Sequence, residues 1–120
     1  MRMHILSLDH VQLAMPSGGE SEARRFYCDI LGFEEIPKPE PLRSRGGCWF
    51  RSAQAELHLG IEEDFRPAKK AHPAFRTGDI DVLEKHLTAK GFVITPDTAL
   101  PKVRRFYISD PFGNRIEILE

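Results

Sequence analysis

Residues 110–119 read DPFGNRIEIL, a tight turn followed by a strand. The Asp, Pro and Gly of DPFG suit successive positions of a hairpin turn, because Asp accepts from the backbone, Pro fixes φ and Gly tolerates left-handed geometry. In the strand, alternation places Ile116 and Ile118 on one face and Glu117 on the other. Such a carboxylate is ordinarily a solvated residue, unless other ligands converge on it.

The whole chain bounds the classes of protein that this strand can belong to. Its 120 residues, 41% of them hydrophobic, predict a single domain over residues 1–120. Its 17 basic and 18 acidic residues nearly cancel, which argues against nucleic acid or an anionic membrane as partner. No apolar run suits a signal peptide or a membrane span, so we expect a cytoplasmic protein that binds small molecules. Cys28 and Cys48 form no paired motif and are interpreted as reduced, packed thiols.

The first half of the chain reads as a strand, a helix and three strands. Residues 8–15, LDHVQLAM, alternate as a strand does, and Ser21 is predicted to cap a helix that Gly32 ends. A short strand at FEEI precedes the Pro- and Gly-rich segment 37–47, which we interpret as a flap. Two further strands are predicted at CWFRS and AELHLGI.

The second half repeats this order after the polar linker EEDFRPAKK. It has a strand at HPAFRT, a helix capped by Asp79 and ended by Gly91, a short strand FVIT, and two strands around the DPFG turn. YCDILGFEEI and HLTAKGFVIT align in register, which indicates an internal repeat of roughly 60 residues. We therefore predict an α+β fold of two βαβββ modules, the first over about 5–62 and the second over about 71–120, related by approximate two-fold symmetry.

Polar residues recur on equivalent strands of this repeat. They are His10 and His72 on the first strands, and Glu56, His58 and Glu117 on the last strands. By alternation each of them lies on the face opposite the apolar residues. His4 and His86 fall outside this pattern, and we assign both to the surface. The other five occupy equivalent strands and the same polar face, which makes them candidates for one site.

These motifs together resemble the vicinal oxygen chelate superfamily, the glyoxalase, bleomycin-resistance and extradiol-dioxygenase group. The resemblance runs from LDHVQLAM through RRFYCDILGFEEI, AELHLG and HPAF to FYISDPFGNRIEILE, the most specific of the motifs. It implies mixed sheets curled around a cleft, with metal ligands on their first and last strands. Carried over residue by residue, the glyoxalase-like ligand pattern falls on His10, Glu56, His72 and Glu117.

Two alternatives to this ligand set stay open. His58 shares a strand face with Glu56, about 6 to 7 Å further along, and could ligate in its place. A set of His10, His72 and Glu117 resembles the ferrous site of extradiol dioxygenases, which are usually longer proteins. Every set lacks thiolate and suits a divalent Zn, Ni, Mn, Co or Fe ion.

The resemblance implies lyase or isomerase chemistry, in which the metal chelates two substrate oxygens and stabilises an enediolate-like intermediate. Glu117 is the expected combined ligand and base, and Glu56 is the other candidate base. The rival implication is a metal-free protein that binds a drug or metabolite, as bleomycin-resistance proteins do. The complete ligand set favours the enzyme. Small members of the superfamily pair as homodimers, so the ligands of one site can come from two chains.

Five more residues are predicted to line the cleft and to define the substrate. They are Gln12, Trp49, Arg51, Arg105 and Tyr107. Arginine and aromatic side chains hold anionic or flat groups. A bulge would invert the face and present instead Phe50, Arg104 and Phe106. The segment LHLGIEED departs from the pattern of glutathione-using glyoxalases, which puts glutathione specificity in doubt.

Overall fold

The computed structural model describes residues 1–120 and contains the predicted strands and helices in the predicted order. It differs in two elements, because the short strand predicted at FVIT lies at Thr95–Pro96 and an additional short helix lies in the predicted flap. The strands are β1 (Val11–Met15), β2 (Glu34–Ile36), β3 (Cys48–Ser52), β4 (Ala55–Ile61), β5 (Ala74–Arg76), β6 (Thr95–Pro96), β7 (Arg105–Ser109) and β8 (Arg115–Leu119). The helices are α1 (Glu20–Arg24), which continues as a π-helical segment (Arg25–Ile30), α2 (Glu40–Arg43) and α3 (Ile80–Ala89).

The strands form two open four-stranded sheets of identical topology. Sheet one has the order β1-β4-β3-β2, and sheet two has the order β5-β8-β7-β6. In each sheet the first strand runs parallel to the last, and the other neighbours are antiparallel. This topology confirms the predicted α+β fold with its repeat of one strand, one helix and three strands.

One hydrophobic core joins the two sheets. Sixteen buried apolar residues from both halves of the chain form a single cluster. Tyr27 of the π-helical segment stacks on Phe50 of β3 with ring centroids 5.5 Å apart, and Phe33 meets Phe75 of β5 edge to face at 5.4 Å. Because the apolar faces of the sheets are used in this shared core, the opposite face of each sheet is left for polar residues.

The DPFG turn has the conformation that its residues predict. Asp110 Oδ1 accepts from the backbone N–H groups of Phe112 at 2.9 Å and Asn114 at 2.8 Å. Gly113 has a φ of +92°, where a side chain would be strained. The turn therefore fixes the start of β8 and with it the register that orients Glu117.

The same turn connects the two halves of the chain through buried polar groups. Asp110 Oδ2 accepts from the Tyr27 hydroxyl at 2.7 Å and from Asn114 Nδ2 at 2.9 Å. Asn114 also donates to the carbonyl of Ala14 at the end of β1 and accepts from the N–H of Ala68, both at 2.9 Å. Burial, followed by the charge of Asp110, raises the pKa of Tyr27 well above its ordinary value, so the phenol stays a donor.

Helix α3 follows its predicted limits. Asp79 caps α3 by accepting from the N–H of Val82 at 3.1 Å, and Gly91 with a φ of +88° follows its last turn. The predicted cap of α1 at Ser21 is wrong, because that helix begins one residue earlier, at Glu20. Its N-cap is Gly19, where a Cβ atom would lie 2.7 Å from the Phe112 ring.

The chain before Val11 differs from the predicted strand. Strand β1 begins at Val11 rather than at Leu8, and residues 1–10 have no regular structure and are exposed. Val11 pairs with Leu57 near the start of β4, and β1 is an edge strand, so the preceding residues have little neighbouring strand to pair with. Leu8 is 78% exposed, although leucine is among the residue types most often buried.

The structure bears on three further predictions. The predicted flap, residues 37–47, contains the short helix α2. The assignment of His86 to the surface is wrong, because its Nε2 lies 3.0 Å from the carbonyl of Ile30 and the residue is half-buried between helices. Cys28 and Cys48 are free thiols, and burial raises the pKa of Cys48 to about 11.

No helix is long and apolar enough to cross a bilayer.

We expect Asn114→Ala to lower the free energy of unfolding by about 2–4 kcal/mol, because it removes the side-chain bonds to Ala14, Ala68 and Asp110 from a buried position. Urea unfolding followed by circular dichroism measures the change. Gln54→Ala, in the exposed β3–β4 turn, is the control and should change stability by less than about 0.5 kcal/mol. Equal stability of both variants would mean that the network does not hold the halves together.

Candidate functional site

The strand register shows which residues share the polar faces of the sheets. In sheet one Trp49 pairs with His58 and Arg51 with Glu56, and in sheet two Tyr107 pairs with Glu117. Directly paired residues point to the same side of a sheet, so these form the site face of each sheet. The alternative with an inverted face is wrong. Phe50 and Phe106 are in the core, and Arg104 bonds Asp81 and Glu84 outside the sheet.

Three flat rings form a stack on the site face of sheet one. His58 lies parallel to Trp49, with ring centroids 3.7 Å apart, and to His10 at 4.0 Å. This stack leaves His58 only 3% exposed. Gln12 pairs with His58 on the other side, and Gly60 makes room for the Gln12 side chain, since a Cβ at Gly60 would lie 2.6 Å from its Nε2.

The outer ring of the stack, His10, has one nitrogen engaged. Its Nδ1 lies 2.8 Å from the carboxylate of Asp9, and its Nε2 makes no hydrogen bond within the chain. A carboxylate on one ring nitrogen fixes the tautomer and the orientation of the ring, as the outer partners of metal-bound histidines do. His10 is thus arranged to offer Nε2 to a ligand or an ion.

Glu56 is held as a charged carboxylate beside this stack. Its Oε2 lies 2.8 Å from Nε2 of His58, and its Oε1 accepts from Arg51 at 3.0 Å. The hydrogen bond from His58, and then that from Arg51, lowers the pKa of Glu56 below its ordinary value. His58 and Arg51, both predicted to belong to the site, therefore bind this one carboxylate.

The site face of sheet two carries the pair His72 and Glu117. Nδ1 of His72 lies 2.7 Å from the carbonyl of Lys70, and Nε2 lies 2.8 Å from Glu117 Oε1. Glu117 is 8% exposed, so its charge needs partners. Arg105 is one of them, with its guanidinium 3.5 Å from Glu117 Oε2.

Asp97 is a neighbour of the candidate site residues that the sequence did not reveal. Its carboxylate lies 3.0 Å from Arg105 and accepts from the Tyr107 hydroxyl at 3.1 Å. The N–H of Ala99, followed by other partners, lowers the pKa of Asp97, whereas burial and the bond to Asp97 raise the pKa of Tyr107. Asp97 follows the two-residue strand β6, a position with no periodic signal. Asp9, also missed, stands beside His10 in the sequence and could have been found there.

The predicted ligands lie in two groups within one chain, one group on each site face. His10, Glu56 and His58 belong to sheet one, whereas His72 and Glu117 belong to sheet two. No three His, Cys, Asp or Glu side chains of the chain are arranged to hold a metal ion together. Each face therefore carries one group of the predicted ligands.

Paired βαβββ modules with polar residues on the site face of each open sheet define a class of small ligand-binding and metal-dependent proteins. The model of the Glyoxalase/Bleomycin resistance protein/Dioxygenase superfamily matches residues 7–118, and the chain belongs to that superfamily. The resemblance in the sequence motifs is thereby confirmed.

Several relatives are similar over nearly the whole chain. A protein from Bacillus anthracis provisionally placed in the glyoxalase family is 54% identical, with a TM-score of 0.97 and coverage of 100% of this chain and 98% of that one. Glyoxylase I 4 from Arabidopsis thaliana is 30% identical over 128 residues, which cover 97% of this chain and 71% of the relative. An antibiotic-binding protein from Streptomyces sp. CB03234 shares the fold, with 23% identity, a TM-score of 0.73 and 98% coverage of each chain.

We expect the pKa of Glu56 to rise in His58→Leu and, by less, in Arg51→Gln. Each variant removes a hydrogen bond that lowers this pKa, and the bond from His58 has the larger effect. Carboxyl carbon shifts in an NMR pH titration measure it. The low pKa means that the charged form contributes stability above the pKa of an unfolded glutamate, and that this contribution is lost as pH falls through the folded pKa. Arg45→Gln removes the same charge from the flap and should leave Glu56 unchanged.

Proposed function

We propose that the protein is a glyoxalase-like metalloenzyme of the lyase or isomerase type, and that it works as a homodimer. In this proposal each site combines the site face of sheet one from one chain with that of sheet two from its partner. The observation that carries the proposal is that each face offers one histidine and one carboxylate in contact with other polar groups, and neither face alone completes a ligand set.

The contact between His72 and Glu117 fits a divalent ion. Because a carbonyl only accepts, Nδ1 of His72 carries the proton that bonds Lys70, and in the neutral ring Nε2 then holds a lone pair. This lone pair and Glu117 Oε1, 2.8 Å apart, need a cation between them or a second proton on the ring. Two ligands about 2.1 Å from one ion at right angles are about 3 Å apart, so the spacing suits neighbouring ligands.

The geometry of sheet one favours Glu56 over His58 as the companion ligand of His10. Ring nitrogens offer their lone pairs in the plane of the ring, and the rings of His10 and His58 are stacked with only 20° between their planes. Their lone pairs therefore run side by side and do not converge on one ion. We infer that His58 orients Glu56, to which it is bonded, and that the ion is held by His10, Glu56, His72 and Glu117.

Such an ion, when bound, supplies a Lewis acid that stabilises negative charge on two neighbouring substrate oxygens. Glu117 would accept the proton from the carbon next to a substrate carbonyl and return it to the adjacent carbon, which is an isomerisation. Arg105 lies beside Glu117 Oε2 and keeps that carboxylate oriented while its charge changes. Tyr107 and Trp49 provide flat apolar surface for the rest of the substrate.

A second copy of the chain is supported by the surface of the single chain. The exposed first eight residues include five large apolar side chains: Met1, Met3, Ile5, Leu6 and Leu8. The radius of gyration is 15.2 Å, against about 14 Å for a compact chain of this length. An open chain with an exposed apolar segment is what an obligate partner would cover.

A metal-free binding protein is the second candidate function. The observation that favours it is the Trp49, His58 and His10 stack, because flat aromatic surfaces bind planar or cationic drugs. The fold that the chain shares with an antibiotic-binding protein agrees with this candidate. The unused Nε2 of His10 and the His72 and Glu117 contact, which a binder does not need, favour the enzyme.

We expect the protein, purified without a His tag, to hold about one divalent ion per chain by elemental analysis, and His10→Ala and Glu117→Gln each to lose it. Unfolding these two variants together and refolding them should restore about a quarter of the sites. Half of the randomly formed dimers are mixed, and one of their two sites is intact. Refolding each variant alone is the control. Metal in neither variant and none after mixing would place each site within one chain.

With metal bound, we expect the protein to convert hemithioacetals, formed from an α-ketoaldehyde and a small thiol, into thioesters. The absorbance of the thioester product measures the rate. Glu117→Gln should lower kcat by roughly 10²–10⁴-fold, the usual contribution of a general base. Glu63→Gln, on the exposed linker, is the matched control. If hemithioacetals, epimerisable acyl thioesters and catechols all fail while planar cationic drugs quench Trp49 fluorescence without metal, the binding protein is the correct function.

A further inference from the structure

A groove of about 580 Å³ opens at one end of sheet two. Its walls are the chain that follows α3 (residues 91–95), the end of β7 with the DPFG turn, and the linker before β5. None of its residues was predicted as a metal ligand. Only Tyr107 was predicted to belong to the site, as a residue lining the substrate cleft. Apart from Tyr107, the lining residues of the groove have no role in the proposed reaction.

The charges in this groove have one sign. Lys69 and Arg115 line it, and no Asp or Glu is among its ten lining residues. Neither cation forms an ion pair anywhere in the chain, whereas Arg105 on the same sheet is bonded to both Asp97 and Glu117. Two unneutralised cations in a concave surface attract an anion.

Arg115 is held in place for such a role. Its guanidinium lies 3.7 Å from the centroid of the Tyr107 ring, and its one hydrogen bond is a long one of 3.5 Å to the carbonyl of Lys69. Stacking fixes the plane of the guanidinium while most of its five donors stay without a partner. A planar, fixed and unpaired guanidinium is suited to the two oxygens of a carboxylate or a phosphate.

Another part of the groove lining is apolar. Phe92, Val93 and Ile108 contribute to it, and Val93 is 79% exposed. Covering an exposed valine with the carbon atoms of a ligand removes apolar surface from water and so favours binding. The ligand that fits both the cationic and the apolar parts of the lining carries an anionic group on an apolar or aromatic skeleton.

The groove begins next to the His72 and Glu117 pair. Tyr107 is directly opposite Glu117 in the strand register, and its ring meets that of His72 edge to face at 5.4 Å. Tyr107 is therefore the wall between the groove and the candidate metal ligands. One molecule could reach both sides of this ring.

We propose that the groove binds the anionic end of the substrate, a carboxylate or a phosphate, through Arg115 and Lys69. The substrate is then an α-oxo or α-hydroxy carbonyl compound with an acidic group on a short apolar or aromatic skeleton. The assignment of this ligand as a substrate rests on the proposed function, whereas the binding of an anion in the groove does not.

The test is an NMR titration of the native protein with benzoate, phenyl phosphate and benzyl alcohol, the last a neutral ligand of similar shape. We expect both anions to bind roughly tenfold or more tightly than the alcohol, with amide shifts at Val93, Ser109 and Gly113. Arg115→Gln should weaken the anions roughly tenfold and the alcohol little, while Arg115→Lys should recover only part of the affinity, because an ammonium keeps the charge but loses the planar pair of donors. Lys70→Gln, next to the groove but outside its lining, controls for loss of overall charge.

The outcomes separate this proposal from the proposed function. A preference for phenyl phosphate over benzoate would identify a phosphate group, and the reverse would identify a carboxylate. Equal binding of all three ligands, shifts outside the groove, or equal losses in Arg115→Gln and Lys70→Gln would overturn the proposal. None of these measurements needs metal or turnover, so a failed metal titration with intact anion binding would overturn only the proposed reaction.

Discussion

The buried carboxylate of Asp110 is the interaction on which the rest of the structure depends. It accepts four hydrogen bonds, from the Tyr27 hydroxyl, from Asn114 Nδ2 and from two backbone N–H groups of its own turn. A buried carboxylate is tolerated only when it is bonded in this way. Because Tyr27 belongs to the helix of the first half and the turn belongs to the second half, satisfying one side chain joins the two repeats at their apolar sides.

This junction determines what the other sides of the sheets can do. With the helices and apolar faces joined in one core, both site faces remain available to solvent or to a partner. The predicted ligands of the two repeats then lie on separate sheets of one chain. The two sheets of equivalent strand order present two similar faces, and the proposed pairing of two chains would bring unlike faces together in two equivalent sites.

Local chemistry made much of the fold predictable. The DPFG turn, the Asp79 cap and the glycine after α3 act over a few residues, and alternation alone placed Glu117 opposite Ile116 and Ile118. The predictions that failed concern contacts between distant residues. Ser21 could not be rejected without knowing that Gly19 packs against Phe112, and His86 is half-buried only because the helix of the other repeat presents the carbonyl of Ile30.

The candidate site was predictable as a set of positions but not as a set of roles. Alternation placed Glu56 and His58 on the same face, and only the stacking of His58 between Trp49 and His10 distinguishes them. The two repeats also differ in a way that the motifs did not reveal. Each site carboxylate has an arginine beside it, Arg51 for Glu56 and Arg105 for Glu117, so the paired charges largely cancel. Arg115 has no such partner, and with Lys69 it leaves unpaired positive charge at one end of sheet two. A substrate with one acidic end would therefore bind in a single orientation, with its carbonyl beside Glu117.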